Sequence, residues 1–150
     1  MPSIDSTSLR LYVYDEILTR GRVPTLADIA AHFETEPAEA RRTLGQVRIG
    51  KTILVDPRSG EIWMAGPFSA RQTLYRVLGN GITWWANCAW DMFGIAHMVQ
   101  ARVTVHTRCP DCGEQITVSC SPSAPAGADE QLRIHFLVPA RDWYADIGFT

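Results

Sequence analysis

Hydrophobic positions in the first third of the chain recur at helical spacing three times and then give way to short extended runs. Leu9, Tyr12, Val13, Ile17 and Leu18 form one stripe and predict a helix over 8–20. Gly21 supplies a natural stop, and Pro24 supports a break there. Thr25 and Asp28 have the spacing of a capping-box variant that opens a short helix ending near Phe33. A third helix begins at Thr35 or Glu36, with Pro37 in its first turn, and carries Ala40, Leu44 and Val47 on one side. Two β-rich runs follow, Thr52–Val55 and Glu61–Met64, separated by the tight-turn segment Asp56-Pro-Arg-Ser-Gly60. Three short helices and a hairpin in this order predict a winged-helix-like domain over 1–66.

Residues 67–81 are expected to be a connector. Beyond them, Trp84, Ala86, Cys88, Ala89, Met92, Phe93 and Ile95 place apolar groups nearly all round a helix expected from Thr83 to Met98, which would then be buried. Alternating runs predict strands over 101–107, 114–120 and 131–138, with a loop over 121–130 and a short helical segment from Ala140. The expected fold class is α+β: the winged-helix-like lobe, then a helix with an antiparallel or mixed sheet over 82–150.

Composition narrows the function classes. The 150 residues carry a net charge of −2, and residues 1–66 hold eight Arg/Lys against nine Asp/Glu. No global field therefore draws the chain to nucleic acid or to an anionic membrane. The start lacks the pattern of a signal peptide, and no apolar run approaches the roughly 20 residues of a membrane span, so the expected location is cytoplasmic. A reducing compartment argues against structural disulfides among the four cysteines, at 88, 109, 112 and 120.

Cys88 and Asp91, three apart on the expected helix, would share one face. A thiolate is a soft ligand and nucleophile suited to a heavy metal. A partly desolvated carboxyl beside it would hold its proton to higher pH and could deliver it to a leaving group. The plainer reading is a cysteine packed as a small hydrophobe, with Asp91 bonded to a backbone amide. Cys109-Pro-Asp-Cys112-Gly113, three residues after His106, forms a knuckle that could supply half a tetrahedral zinc site, completed by Cys120 or His106. A redox pair, or two free cysteines at a hairpin turn, stay open. On the third helix Arg41, Arg42, Arg48 and Lys51 could face phosphates, although Glu34, Glu36 and Glu39 crowd its start. His32, His97 and His135 are expected to be core or surface residues, and Trp84, Trp85 and Trp90 to pack the lobe interface and wall the site.

The run Trp84-Trp-Ala-Asn-Cys88-Ala-Trp-Asp91-Met-Phe-Gly-Ile resembles the segment of the organomercurial (alkylmercury) lyases in which Cys-x-x-Asp supplies two of three catalytic residues. Thr107-Arg-Cys109 and Ile116-Thr-Val-Ser-Cys-Ser121-Pro122 are similar to that family's next two strands. The likeness covers residues 82–150; the front half matches in architecture alone. It implies thiolate capture of mercury by Cys88, protonation of the departing carbon by Asp91, and Hg(II) left bound, with no organic cofactor. The implied partner is a small organometallic or other thiol-reactive molecule, and the implied front lobe packs against the core rather than reading DNA. Cys109 matches a cysteine outside the family's catalytic set. The family's second active-site cysteine falls where this chain has Gly148-Phe149-Thr150, so a degenerate or repurposed lyase is expected. Expected metal ligands are Cys88, with Cys109 and Cys112, for Hg(II) or Zn(II). The alternative is a winged-helix DNA-binding regulator whose cysteines sense metal or redox state.

Overall fold

Caps and a small number of long-range polar contacts set the course of the chain before any strand forms. In a computed structural model, which describes residues 4–47, 52–123 and 132–145, α1 (Ser6–Arg20) starts where the Asp5 carboxylate accepts the Ser8 amide. It ends at Gly21, whose φ of 72° lets its N–H reach the Ile17 carbonyl. Leu9, Val13 and Ile17 are buried along the inner face, each burial contributing about 1.5–3 kcal/mol. α2 (Leu26–His32) opens with a reciprocal capping box between Thr25 and Asp28. Arg22 donates two hydrogen bonds to the same Asp28, and this fork, with the capping bonds, holds its carboxyl well below the usual carboxylate range. α3 (Pro37–Val47) buries Ala40 and Leu44.

The remainder is one antiparallel sheet of seven strands with a helix packed on it. The strands are β1 (Ile53–Val55), β2 (Ile62–Ala65), β3 (Phe68–Ser69), β4 (Tyr75–Gly79), β5 (Ile82–Ala86), β6 (Val103–Arg108) and β7 (Gln115–Cys120). Their order across the sheet is β1-β2-β3-β5-β4-β6-β7. Between β5 and β6 lies α4 (Asp91–Val99), which buries Met92, Ile95 and Ala96 and packs against β4, β5 and β7. A 3₁₀ helix, Ala140–Ala145, follows.

Three contacts tie the helices to the sheet. The Trp84 indole N–H donates to the Ile17 carbonyl at 2.7 Å inside the core. The Glu61 carboxylate accepts the first amide of α2, Leu26, at 2.8 Å, and the Tyr14 hydroxyl donates to the Gly66 carbonyl at 2.9 Å. Gly66–Pro67 is a cis peptide.

The structure corrects several expectations. The helix expected over 83–98 is a strand followed by a shorter helix: residues 82–86 belong to β5, and the helix starts at Asp91. An unbroken apolar run has no period that separates a buried helix from a strand covered on both faces. Here the β-branched and aromatic Ile-Thr-Trp-Trp segment pairs along β4. Residues 67–81, expected as a connector, contain β3 and β4. No strand forms over 132–138, where exposed Leu132, Phe136 and Leu137 find no pairing edge; residue 131 lies outside the described residues.

Gly21 combines a left-handed φ with a close approach. A Cβ there would lie 2.6 Å from Ile82 Cγ2 and 2.9 Å from the Thr83 carbonyl oxygen. Gly81 has a similar φ of 76° with open space around it. Both alanine substitutions therefore share the backbone strain, and only Gly21→Ala adds overpacking. We expect Gly21→Ala to lose about 1–3 kcal/mol more than Gly81→Ala in urea denaturation. Equal losses would show that α1 does not seat tightly on β5.

Candidate functional site

β5 delivers the chain to a short turn, residues 87–90, whose position is fixed from three sides. The Thr73 hydroxyl donates to the carbonyl of Ala86 at the strand end, at 2.6 Å. The Asn87 amide donates to the Pro67 carbonyl at 3.3 Å. On α4, a Cβ at Gly94 would lie 3.2 Å from Pro67, so the absence of a side chain lets the helix sit close to that proline. Cys88 lies in this turn and not on a helix, a correction to its expected place; Asp91 is the first residue of α4.

The turn nevertheless brings the two side chains together. The Cys88 thiol donates to Asp91 Oδ2 across 3.4 Å, and both line a cavity of about 290 Å³. The lining also includes Thr52, Met64 and Gly66, Asn87 and Trp90 from the turn itself, and Phe136, Trp143 and Tyr144 from the C-terminal segment. Burial, reinforced by the neighbouring Asp91 charge, pushes the Cys88 thiol up to about 11. Burial also raises Asp91, opposed by hydrogen bonding from the Cys88 thiol. The Asn87 amide reaches toward Asp91 and further opposes that rise, although no well-aligned hydrogen bond forms. The thiol therefore holds its proton near neutral pH and donates it in a hydrogen bond to the Asp91 carboxyl group. A group that removes the thiol proton makes Asp91, the adjacent acceptor, its natural destination.

Two polar atoms on the cavity wall, Thr52 Oγ1 and Asn87 Nδ2, are buried without a hydrogen-bond partner among the described residues. Sequence reasoning missed both, along with Met64, Phe136, Trp143 and Tyr144. Asn87 adjoins the Cys-x-x-Asp run and was open to inference. The others converge only through the sheet and the C-terminal segment. Of the three tryptophans expected to wall the site, Trp90 does so and is 60% exposed. Trp84 is core, and Trp85 is half-buried and outside the cavity lining.

The other candidates lie apart. Cys109 and Cys112 sit between β6 and β7, the first half-buried and the second exposed. Cys120 is fully buried on β7, and burial raises its thiol to about 11. His106 bonds with the Thr117 hydroxyl, His97 with the Pro122 carbonyl, and His32 stacks on Tyr12; His135 is exposed. Among the described residues no three His, Cys, Asp or Glu side chains cluster to hold a metal. On α3, Arg41 donates to the Arg58 carbonyl and Arg42 pairs with Glu39, so both are engaged within the lobe. Arg48, Lys51 and the segment 148–150 lie outside the described residues. No described helix is long and apolar enough to cross a membrane.

Comparison with known proteins gives a family match and a structural likeness. The alkylmercury lyase (MerB) family matches residues 68–149, more than half of the chain. The crystal structure of the mercury-bound form of MerB2 superposes with a TM-score of 0.59 at 18% identity, a likeness of fold. The alignment covers 79% of this chain and 57% of that one, so the chain spans little more than half of that relative's length. No curated protein matches the sequence.

The electrostatics of the pair are testable without a substrate. Alkylation of Cys88 by iodoacetamide should stay slow near neutral pH and rise toward pH 11. Asp91→Asn removes the like charge and should move this profile to lower pH. An unshifted profile would mean that Asp91 does not govern the thiol.

Proposed function

The chain belongs to the alkylmercury lyase family, and we propose that its cavity captures organomercurials through Cys88 and protonates the carbon–mercury bond through Asp91. The observation that carries this reading is the 3.4 Å contact between thiol and carboxylate inside one cavity.

The chemistry balances on these two side chains. With a substrate R–Hg–X, the Cys88 sulfur forms a bond to mercury, X leaves as an anion, and the thiol proton passes to Asp91. Mercury is soft enough to displace that proton even though the free thiol holds it up to about 11. The carbon–mercury bond then breaks with its electron pair going to carbon, which takes the proton from Asp91. The products are R–H, a regenerated carboxylate, and mercury on the Cys88 sulfur. One thiol from solution completes the mercury coordination and gives its proton to solvent, and a second displaces the Cys88 sulfur, returns a proton to it and carries the ion away as a dithiolate. Burial favours the neutral carboxylic acid after the first transfer, which is the form needed for the second. The proton lost on capture is the proton spent on cleavage.

The walls suit a small hydrocarbon group. Met64, Trp90, Phe136 and Trp143 offer apolar and aromatic surface within about 290 Å³, near the lower end for ligand pockets. Small alkyl or single-ring aryl mercurials are the proposed substrate class. In this reading residues 1–66 form a winged-helix-like lobe that supplies one wall through Thr52, Met64 and Gly66, residues 67–81 lead into the core, and 82–150 carry the reactive pair. The lobe works by packing, in keeping with the internal engagement of Arg41 and Arg42.

Among the described residues Cys88 is the only thiol lining the cavity. One sulfur pushes less electron density through mercury than two, so we read the chain as a slow or repurposed lyase that captures faster than it cleaves. In single-turnover assays with an arylmercurial and excess thiol, one equivalent should bind rapidly and arene should appear slowly. Cys88→Ala should abolish capture in the cavity and the arene release that follows it. Asp91→Asn should keep capture and lower arene release by about 10²–10⁴-fold, the usual range for losing a general acid. Rapid multiple turnovers that survive either substitution would contradict the assignment.

A further inference from the structure

The hairpin between β6 and β7 carries a cysteine pair that the cavity does not use. The Cys109 amide donates to the Glu114 carbonyl at 2.8 Å, and the Gly113 amide donates back to the Cys109 carbonyl at 2.9 Å. These two bonds close the loop into a tight knuckle. Pro110 fixes φ at its second position, and Gly113 takes the left-handed φ of 76° that finishes the turn. The consequence falls on the side chains: Cys109 opens the loop and Cys112 precedes its closing glycine, so one tight turn carries both sulfurs. Cys112 is exposed, and neither residue lines the cavity of Cys88.

We propose that Cys109 and Cys112 form a second, surface site, a preorganised dithiol that chelates one soft, two-coordinate d¹⁰ metal ion such as Hg(II). The donor set decides the class of ion. A closed zinc site requires four ligands, and among the described residues no third His, Cys, Asp or Glu joins the pair. Two thiolates satisfy an ion content with two sulfurs in line. Binding is simple exchange: a divalent ion takes two sulfur lone pairs and releases the two thiol protons, giving a neutral complex with no redox change. The knuckle's position at the end of a hairpin leaves the bound ion open to thiol exchange with solution. The inference does not depend on lyase activity, because it uses none of the residues of the cavity.

The test is titration of Cys88→Ala protein with Hg(II) in the presence of a competing monothiol, followed by sulfur-to-mercury charge-transfer absorption. One tight equivalent should remain. Further replacement of either Cys109 or Cys112 by Ser should weaken it by about 10²-fold or more, since the second sulfur then no longer binds intramolecularly. Cys120→Ser should leave it unchanged. Circular dichroism of each variant separates loss of the site from loss of fold. Zn(II) should neither compete nor drive association of two copies. The proposal is overturned if Cys88→Ala binds no tight equivalent, if the folded Cys109→Ser or Cys112→Ser variants keep it, or if zinc displaces mercury or pairs two chains through four sulfurs.

Discussion

The hydrogen bond from the Trp84 indole to the Ile17 carbonyl fixes α1 on β5 in the middle of the core. The carbonyl it uses also accepts the closing amide of α1 from Gly21, so the end of the helix and the centre of the strand meet at one oxygen. Breaking that bond would leave a polar indole N–H buried in a residue only 2% exposed, a cost of about 1–3 kcal/mol. Everything that matters for the cavity lies downstream of it. β5 ends two residues after Trp84, the turn holding Cys88 begins there, and the opposite wall comes from the hairpin that Tyr14 and Glu61 tie to the helices.

The site is chemically economical because two opposed preferences meet in one contact. Burial disfavours charge on both Cys88 and Asp91, and the thiol donates to the carboxyl group across 3.4 Å. A hard electrophile would find this thiol sluggish. In the proposed reaction a thiophilic metal gains enough from the sulfur to release the proton, which moves to the adjacent Asp91, and selectivity toward soft metals follows from the raised thiol pKa. The knuckle between β6 and β7 differs in that it carries two cysteines on one tight turn, with Cys112 exposed.

Much of the helical front was legible because its signals are local. The Thr25–Asp28 box, the stop at Gly21 and the Asp56–Gly60 turn each depend on a few neighbouring residues. The back half was less legible because its decisive contacts are distant. Ile82–Ala86 has no period to reveal a strand, and its pairing with Tyr75–Gly79 lay hidden in what looked like a connector. Spacing and resemblance singled out Cys88 and Asp91, whose side chains meet at 3.4 Å. The reason they meet is a turn rather than a shared helical face, and three residues suffice for either geometry. Phe136, Trp143 and Tyr144 reach the cavity from an irregular segment, for which alternating hydrophobicity suggested a strand that does not form.

The central claim is that the proton leaving Cys88 on metal capture is held by Asp91 until carbon takes it. Infrared difference spectroscopy of the protein before and after it binds an arylmercurial, near neutral pH, reads that proton directly. A carboxylic C=O stretch should appear on capture, be missing in Asp91→Asn, and decay with the rate of arene release. If Asp91 stays ionised throughout capture while arene still forms, the proton comes from elsewhere and the account of this site is wrong.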